Sequence, residues 1–509
     1  MKVVALTFCT LFLFCNLIWA QPNISWKKNF GGSGVENPTC IIPTLDGGYV
    51  MVGNTMSSDG DITEQHGGMD IWVVKVDING VKQWQRALGG SGDEYPGMIK
   101  QTADGGYIII GSTGSTDGDV SYKHNSMDAW VVKLNESGTM QWEKTIGGSA
   151  LDYAYCIQPT NDGGYIISGA TTSADGDVDT NRGGIDYMLV KLTSTGNTSW
   201  VKTYGGSNDD IANFVQPTTD GGYIICGSSN STDGQIITNY GAQDIWIVKT
   251  DNVGVIQWQK SYGGNTLDYA SMIQNAVDGG YVVAGTTYSA DQNIEGNHGG
   301  MDYWVIKLNV VGEMQWQKTL GGSEDDYCNS IFQTTDGGYI LGGYTNSNDS
   351  MVTGYHDSSD AWVVKLSAAG VMQWEKTYGG SRIDYANWVQ PTNDGGYIMA
   401  ISSQSNNCDV TNNLGDFDFW ILKLAGTGTG IATEESNDIK LFPNPTKSIL
   451  FVESKEPLNI KVADLTGKLL SETKLDKFID LTHLASGMYI VQLYNEDGVL
   501  VHLERVVKE

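Results

Sequence analysis

Short apolar runs, each closed by a glycine-rich turn, set the rhythm of this chain. In residues 93–148, DEYPGMIKQTADGGYIIIGSTGSTDGDVSYKHNSMDAWVVKLNESGTMQWEKTIGG, the pattern predicts four strands, at 95–101, 107–112, 128–134 and 140–146. They are rich in Ile, Val, Tyr, Trp and Thr, which fit a pleated surface. No 3.6-residue periodicity competes, which excludes a helical solenoid. The second strand, YIIIGS, is apolar on both faces, so both faces need cover.

This unit is one of seven. The DGGY turn begins at Asp46, Asp104, Asp162, Asp220, Asp278, Asp336 and Asp394, always 58 residues on. A Gly-Gly pair, a Trp (Trp26 to Trp374) and a D-x-W-x-x-K stretch (Asp70, Trp72, Lys75 to Asp418, Trp420, Lys423) keep the same period, with Met188 replacing Trp in the third copy. In DGGY the Asp accepts turn amides and the glycines adopt positive φ. Seven equal four-stranded units that need cover on both faces predict an all-β fold, a seven-bladed β-propeller over residues 21–424. The first copy begins with a fourth strand, near 26–30, and the last ends with a third strand, at 418–424. The final blade is therefore expected to combine both ends of the repeat region, removing an exposed sheet edge. The order DGGYIIIGS, DAWVVKLNESG, QWEKT resembles Kelch-type repeats and, in its Gly-turn-Trp ending, quinoprotein-type propeller repeats. Both resemblances imply the propeller architecture and no particular activity.

Residues 425–436, within AGTGTGIATEESND, read as a polar linker. Beyond them the strand rhythm changes, and the alternation over 437–509 by itself predicts a small β-sandwich. This segment also resembles the type A C-terminal sorting domain of the type IX secretion system. The resemblance rests on Phe442, Pro443, Asn444, Pro445, Asp464, Gly467, Lys468, Leu484, Gly487, Tyr489 and Lys508. It implies a Bacteroidota cell, Sec export, interaction with the type IX secretion machinery, removal of the tail, and release or attachment to surface lipopolysaccharide. Residues 1–20, MKVVALTFCTLFLFCNLIWA, read as a signal peptide cut before Gln21, and no later apolar run is long enough to span a bilayer. The protein is expected outside the cell or on the outer-membrane surface.

Composition narrows the partners. The 509 residues carry a formal net charge of −29, and the repeats hold 46 acidic against 20 basic residues. Most of those cations occupy two repeat positions, so no basic patch is expected, and nucleic acid and acidic lipid surfaces are poor partners. Cys40, Cys156, Cys226, Cys328 and Cys408 lack metal or disulfide spacing and read as small buried thiols.

Candidate chemistry is acidic and repeated. The DGD loops (Asp59 and Asp61, Asp117 and Asp119, Asp175 and Asp177) are calcium candidates, because a hard cation gathers several oxygens. A second acidic position follows each Gly-Gly pair and includes Glu94 and Asp152. Both loops open on one face, the expected ligand face, although hydrogen bonding within the fold is the simpler role for the second position. The Asp70-type and Lys75-type groups occur in seven equal copies, which fits packing or ion pairing better than catalysis. His66, His124, His298 and His356 read as exposed loop residues. Trp388, Tyr122, Tyr240, Tyr288 and Tyr355 are the less periodic aromatics and the better surface candidates. The expected role is a non-catalytic binding or adhesion module for a glycan or protein, with no cofactor unless calcium binds. The alternative is a polysaccharide lyase or hydrolase on the same propeller.

Overall fold

The computed structural model describes residues 21–426, 440–442, 446–454, 458–463, 469–494 and 500–508. The signal peptide, the 427–436 part of the linker, Pro443, Asn444, Pro445, Asp464, Gly467 and Lys468 lie outside the described residues. Each repeat folds into a four-stranded antiparallel sheet. In the second blade the strands are Glu94–Gln101, Tyr107–Thr113, Asp128–Leu134 and Met140–Ile146, within one residue of the predicted spans. All residues of its second and third strands are buried. Strands buried on both faces need a neighbouring sheet to cover each face, and that requirement turns seven sheets into a seven-bladed propeller.

The seventh blade joins Asp384–Pro391, Tyr397–Ser403 and Asp418–Leu424 to Ile24–Phe30 from the start of the repeat region. Lys27 pairs with Leu422 and Asn29 with Trp420 in this clasp. Side chains also stitch the innermost strands together around the axis. Asn213 Nδ2 donates to Ala270 O (2.8 Å), Ser271 Oγ to Cys328 O (2.7 Å), and Asn329 Nδ2 to Ala386 O (3.1 Å). Asn387 Nδ2 closes the ring from blade seven to blade one, donating to Pro38 O at 2.7 Å.

The DGGY turn shows why its residues are fixed. Gly105 has φ +81°, where a Cβ is disfavoured. Gly106 has no such φ, but a Cβ there would strike the Leu134 carbonyl oxygen. Asp104 Oδ1 accepts the Gly106 amide at 3.1 Å, and its other oxygen meets Lys133 Nζ at 2.9 Å. The Lys of D-x-W-x-x-K therefore pairs with the DGGY Asp, not with the Asp five residues before it. This pair recurs in all seven blades.

Every innermost strand carries a register slip at one place, between Ala386 and Trp388 in the seventh blade. Beyond that bulge, side chains from different blades meet near the axis. Trp388 lies 6.4 Å from the Phe214 ring and 5.3 Å from Phe332. Trp388 is only 6% exposed, so its expected place on the surface is corrected: the bulge turns it into the axial plug. Four of the five cysteines are buried and free; Cys408 is exposed, contrary to the reading as a buried thiol.

A second compact unit follows Gly426. One antiparallel sheet contains Lys440–Phe442, Ile449–Glu453 and Phe478–Asp480, and the other Leu469–Asp476, Leu458–Ala463, Gly487–Tyr494 and Leu500–Lys508. Leu450, Ile460, Ile479, Val491 and Leu493 share one buried core, the interior of a small β-sandwich.

Candidate ligand face and sorting domain

The long loops and the Gly-Gly crossovers open on the same propeller face. Their acidic residues are organised by backbone amides. Asp59, Asp117 and Asp175 each accept the N–H of the residue after a Gly-Gly pair, namely Ser33, Ser91 and Ser149, all at 2.7 Å. Asp61, Asp119 and Asp177 accept the first glycine amides, Gly31, Gly89 and Gly147, at 3.2–3.3 Å. Where the acid is replaced by Gln235 or Asn293, the side-chain oxygen makes the same bond. The DGD motif thus pins each long loop to the crossover that enters its blade. Among the described residues no three His, Cys, Asp or Glu side chains stand together as a metal would require. This geometry is a loop clamp, in which each carboxylate commits an oxygen to a backbone amide.

Glu94 and Asp152 lie beneath this face. Both are fully buried at the start of innermost strands. Glu94 accepts the Gly90 amide and the Thr113 hydroxyl, at 2.9 and 2.7 Å; Asp152 accepts the Gly148 amide and the Ser173 hydroxyl, each at 2.8 Å. Their expected contact with ligand is corrected, because no part of either side chain reaches solvent.

A second buried carboxylate stands beside each of these. Asp128 opens a third strand, and a Cβ on Gly147 would lie 2.6 Å from Asp152 Oδ2 and 2.8 Å from Asp128 Oδ1. Two carboxyl groups from adjacent blades thus share the room that glycine leaves. Burial, with the neighbouring Asp210 charge adding to it, pushes Asp186 up to about 6. Asp418 rises to about 7 through burial, then the charges of Glu36 and Asp61, against an opposing amide bond from Leu414.

The histidines are not simply exposed loop residues. Each donates its backbone N–H to the Asp four residues on, and its Nδ1 meets the same carboxylate. The Nδ1 distances are 3.0 Å for His66–Asp70, 2.8 Å for His124–Asp128, 2.7 Å for His298–Asp302 and 3.0 Å for His356–Asp360. The signal was present in the sequence: these four histidines are separated by whole multiples of the repeat.

Beside the exposed aspartates Asp59, Asp117 and Asp175, the face carries aromatic groups. The second residues of the innermost strands ring the axial mouth on this face: Asn37, Tyr95, Tyr153, Ile211, Tyr269, Tyr327 and Tyr385. None is fully buried, and Tyr95 is 43% exposed. Blades six and seven extend the ring into a ladder. Tyr327 stacks on Tyr344 at 4.8 Å, Tyr344 meets Tyr385 at 4.2 Å, and Tyr385 stacks on Phe417 at 6.3 Å. In the long loops Tyr122 and Tyr288 are exposed, whereas Tyr240 and Tyr355 are half-buried. Sequence reasoning missed the axial tyrosines because DGGY had already accounted for a periodic Tyr.

In the second unit Tyr489 is buried and its hydroxyl donates to Ala485 O at 2.7 Å. Gly487 pairs with Lys508, and Lys508 also bridges Thr446, which brings the start and end of the unit together. Residues 440–509 match the secretion system C-terminal sorting domain. The tail is a type IX sorting domain, and the protein is a type IX cargo exported to the cell surface or the extracellular space. Among curated proteins, the regulatory protein FlaEY of Caulobacter vibrioides is 22% identical over 263 residues, 47% of this chain. The match spans 27% of FlaEY. Among solved structures, a puromycin hydrolase is 10% identical with a TM-score of 0.44, covering 90% of this chain and 59% of that one. A DUF4221-family protein from Bacteroides vulgatus is 9% identical with a TM-score of 0.34, covering 79% and 97%. Among the described residues no helix is long and apolar enough to cross a membrane.

Proposed function

We propose that this type IX cargo is a non-catalytic binding or adhesion module whose propeller holds a glycan on the long-loop face. One observation carries the reading. The DGD and crossover carboxylates each commit an oxygen to a backbone amide, while five of the seven residues around the axial mouth are partly or fully exposed tyrosines. Aromatic rings give a sugar ring an apolar face at low conformational cost, and a rigid scaffold fixes their spacing. The acidic clamps supply loop order, and the net charge favours solubility.

A glycan array probed with the purified full chain tests this. Retention of one glycan class, reduced at least about tenfold by Tyr95→Ala or Tyr153→Ala, is the expected result. Turnover of a polysaccharide, lost on replacing one non-repeated residue, would overturn the non-enzymatic reading. Retention only by a protein ligand would reassign the ligand class.

A further inference from the structure

The opposite face of the propeller is formed by the DGGY hairpins, and at the junction of blades three and four two local changes coincide at a cleft. In five blades the buried DGGY-paired lysine meets a glutamine of the fourth strand. These are Lys75–Gln83 (2.8 Å), Lys133–Gln141 (3.2 Å), Lys249–Gln257 (2.9 Å), Lys307–Gln315 (3.1 Å) and Lys365–Gln373 (3.1 Å). Blade three has Ser199 there, too short to cover Lys191. A second filler is also missing. Gln101 and Gln333 reach back to accept the amides of Leu45 and Val277 in the preceding blade, at 2.8 and 2.9 Å. That position is Pro in four blades, as Pro43, Pro159, Pro217 and Pro391, which cannot make the bridge; only at the blade three–four and seven–one junctions does the Pro coincide with the Ser substitution.

Both changes recur at the junction of blades seven and one, as Ser25 and Pro43. There the exit of the chain occupies the space: Ala425 donates to Asn23 O at 2.9 Å, and a Cβ on Gly396 would lie 2.8 Å from the Gly426 amide nitrogen. The junction of blades three and four has no such cover and contains a cleft of about 290 Å³. Trp200 and Tyr223 form its aromatic wall, their rings 6.0 Å apart at 62°. Lys191 and Asp162 meet in it at 2.9 Å, and Asn161 and Asn252 stand at its rim.

We propose that this cleft is a binding site for a single neutral pyranose unit. The volume lies at the small end of ligand sites and suits one ring. The wall offers aromatic carbon to the ring's C–H face. The Lys191–Asp162 pair has no net charge, so it favours neighbouring hydroxyls, one donating and one accepting, over a phosphate or carboxylate. This site stands on the face opposite the long loops and is independent of the axial tyrosines.

Saturation-transfer NMR of the full chain with methyl glycosides of glucose, galactose, mannose and N-acetylglucosamine is the direct test. At least one probe is expected to receive signal. Ser199→Gln restores the residue of five sister blades, so it is expected to keep the melting temperature while abolishing the signal. Asn252→Ala, at the exposed rim, should weaken binding severalfold. Absence of transfer to every probe, or undiminished transfer in S199Q, overturns the proposal. Tyr95→Ala should leave this signal unchanged, so the result is separable from the fate of the loop-face reading.

Discussion

Single residues carry two different constraints in the DGGY turn, and they can be separated. Gly105 needs its positive φ, so Gly105→Ala should lower stability by about 1 kcal/mol, the cost of a left-handed non-glycine residue. Gly106 instead faces the Leu134 carbonyl, where added carbon has no room, so Gly106→Ala should be the more damaging change. Thermal melts of the two variants check the order. The carboxylates make a pH prediction with two opposing parts. Asp186, Asp244, Asp326 and Asp360, each near 6, and Asp418 near 7 titrate above their unfolded values, mainly through burial. They bind protons more tightly when folded, so their contribution is full below about pH 4 and is lost as pH rises through 6–7. Asp104 and Asp162 sit at about 2, held there by the Thr102 and Thr160 hydroxyls and then by their lysines. Their contribution is present above about pH 4 and is lost as pH falls toward 2. The melting temperature should therefore peak near pH 4–5, and Asp418→Asn should flatten its decline toward pH 8. A melting temperature that climbs steadily from pH 4 to 8 would contradict this assignment.

At the scale of strands, most of the fold was legible. Alternation and turn chemistry placed all four strands of the second blade within a residue, because both are local properties. The burial of Trp388 was not legible, since it depends on a bulge whose direction only the neighbouring strand fixes. The candidate site was less readable than the strands. The DGD and crossover acids were located as loops, but which were exposed depended on where each carboxylate found an amide. The clasp yields an element-scale prediction. Deleting residues 21–30 strips the outer strand from the seventh blade and exposes the edge of Asp418–Leu424. The truncated protein should aggregate or melt well below the full chain by scanning calorimetry and light scattering; an unchanged melting temperature would mean that the clasp does not hold the ring.

For the whole molecule, the two units have separate tasks, and the export prediction belongs to the second. A chain lacking residues 437–509 should remain in the periplasm, whereas the full chain reaches the surface with the tail removed. Cell fractionation and peptide mass spectrometry distinguish these outcomes, and normal display of the truncated form would refute the role of the tail. The sequence alone determined the number of blades, their strand order, the joining of both ends of the repeat region in one sheet and the presence of a sorting tail. The first three follow from spacing and local hydrogen-bonding chemistry, and the last from the resemblance of residues 437–509 to a known sorting domain. Only the tertiary structure decided that the acidic motif is a clamp, that four histidines brace buried carboxylates, that tyrosines gather at the axis, and that the junction of blades three and four holds a cleft. These depend on which side chains from different blades meet, and a linear period that treats every blade alike carries no information about such encounters.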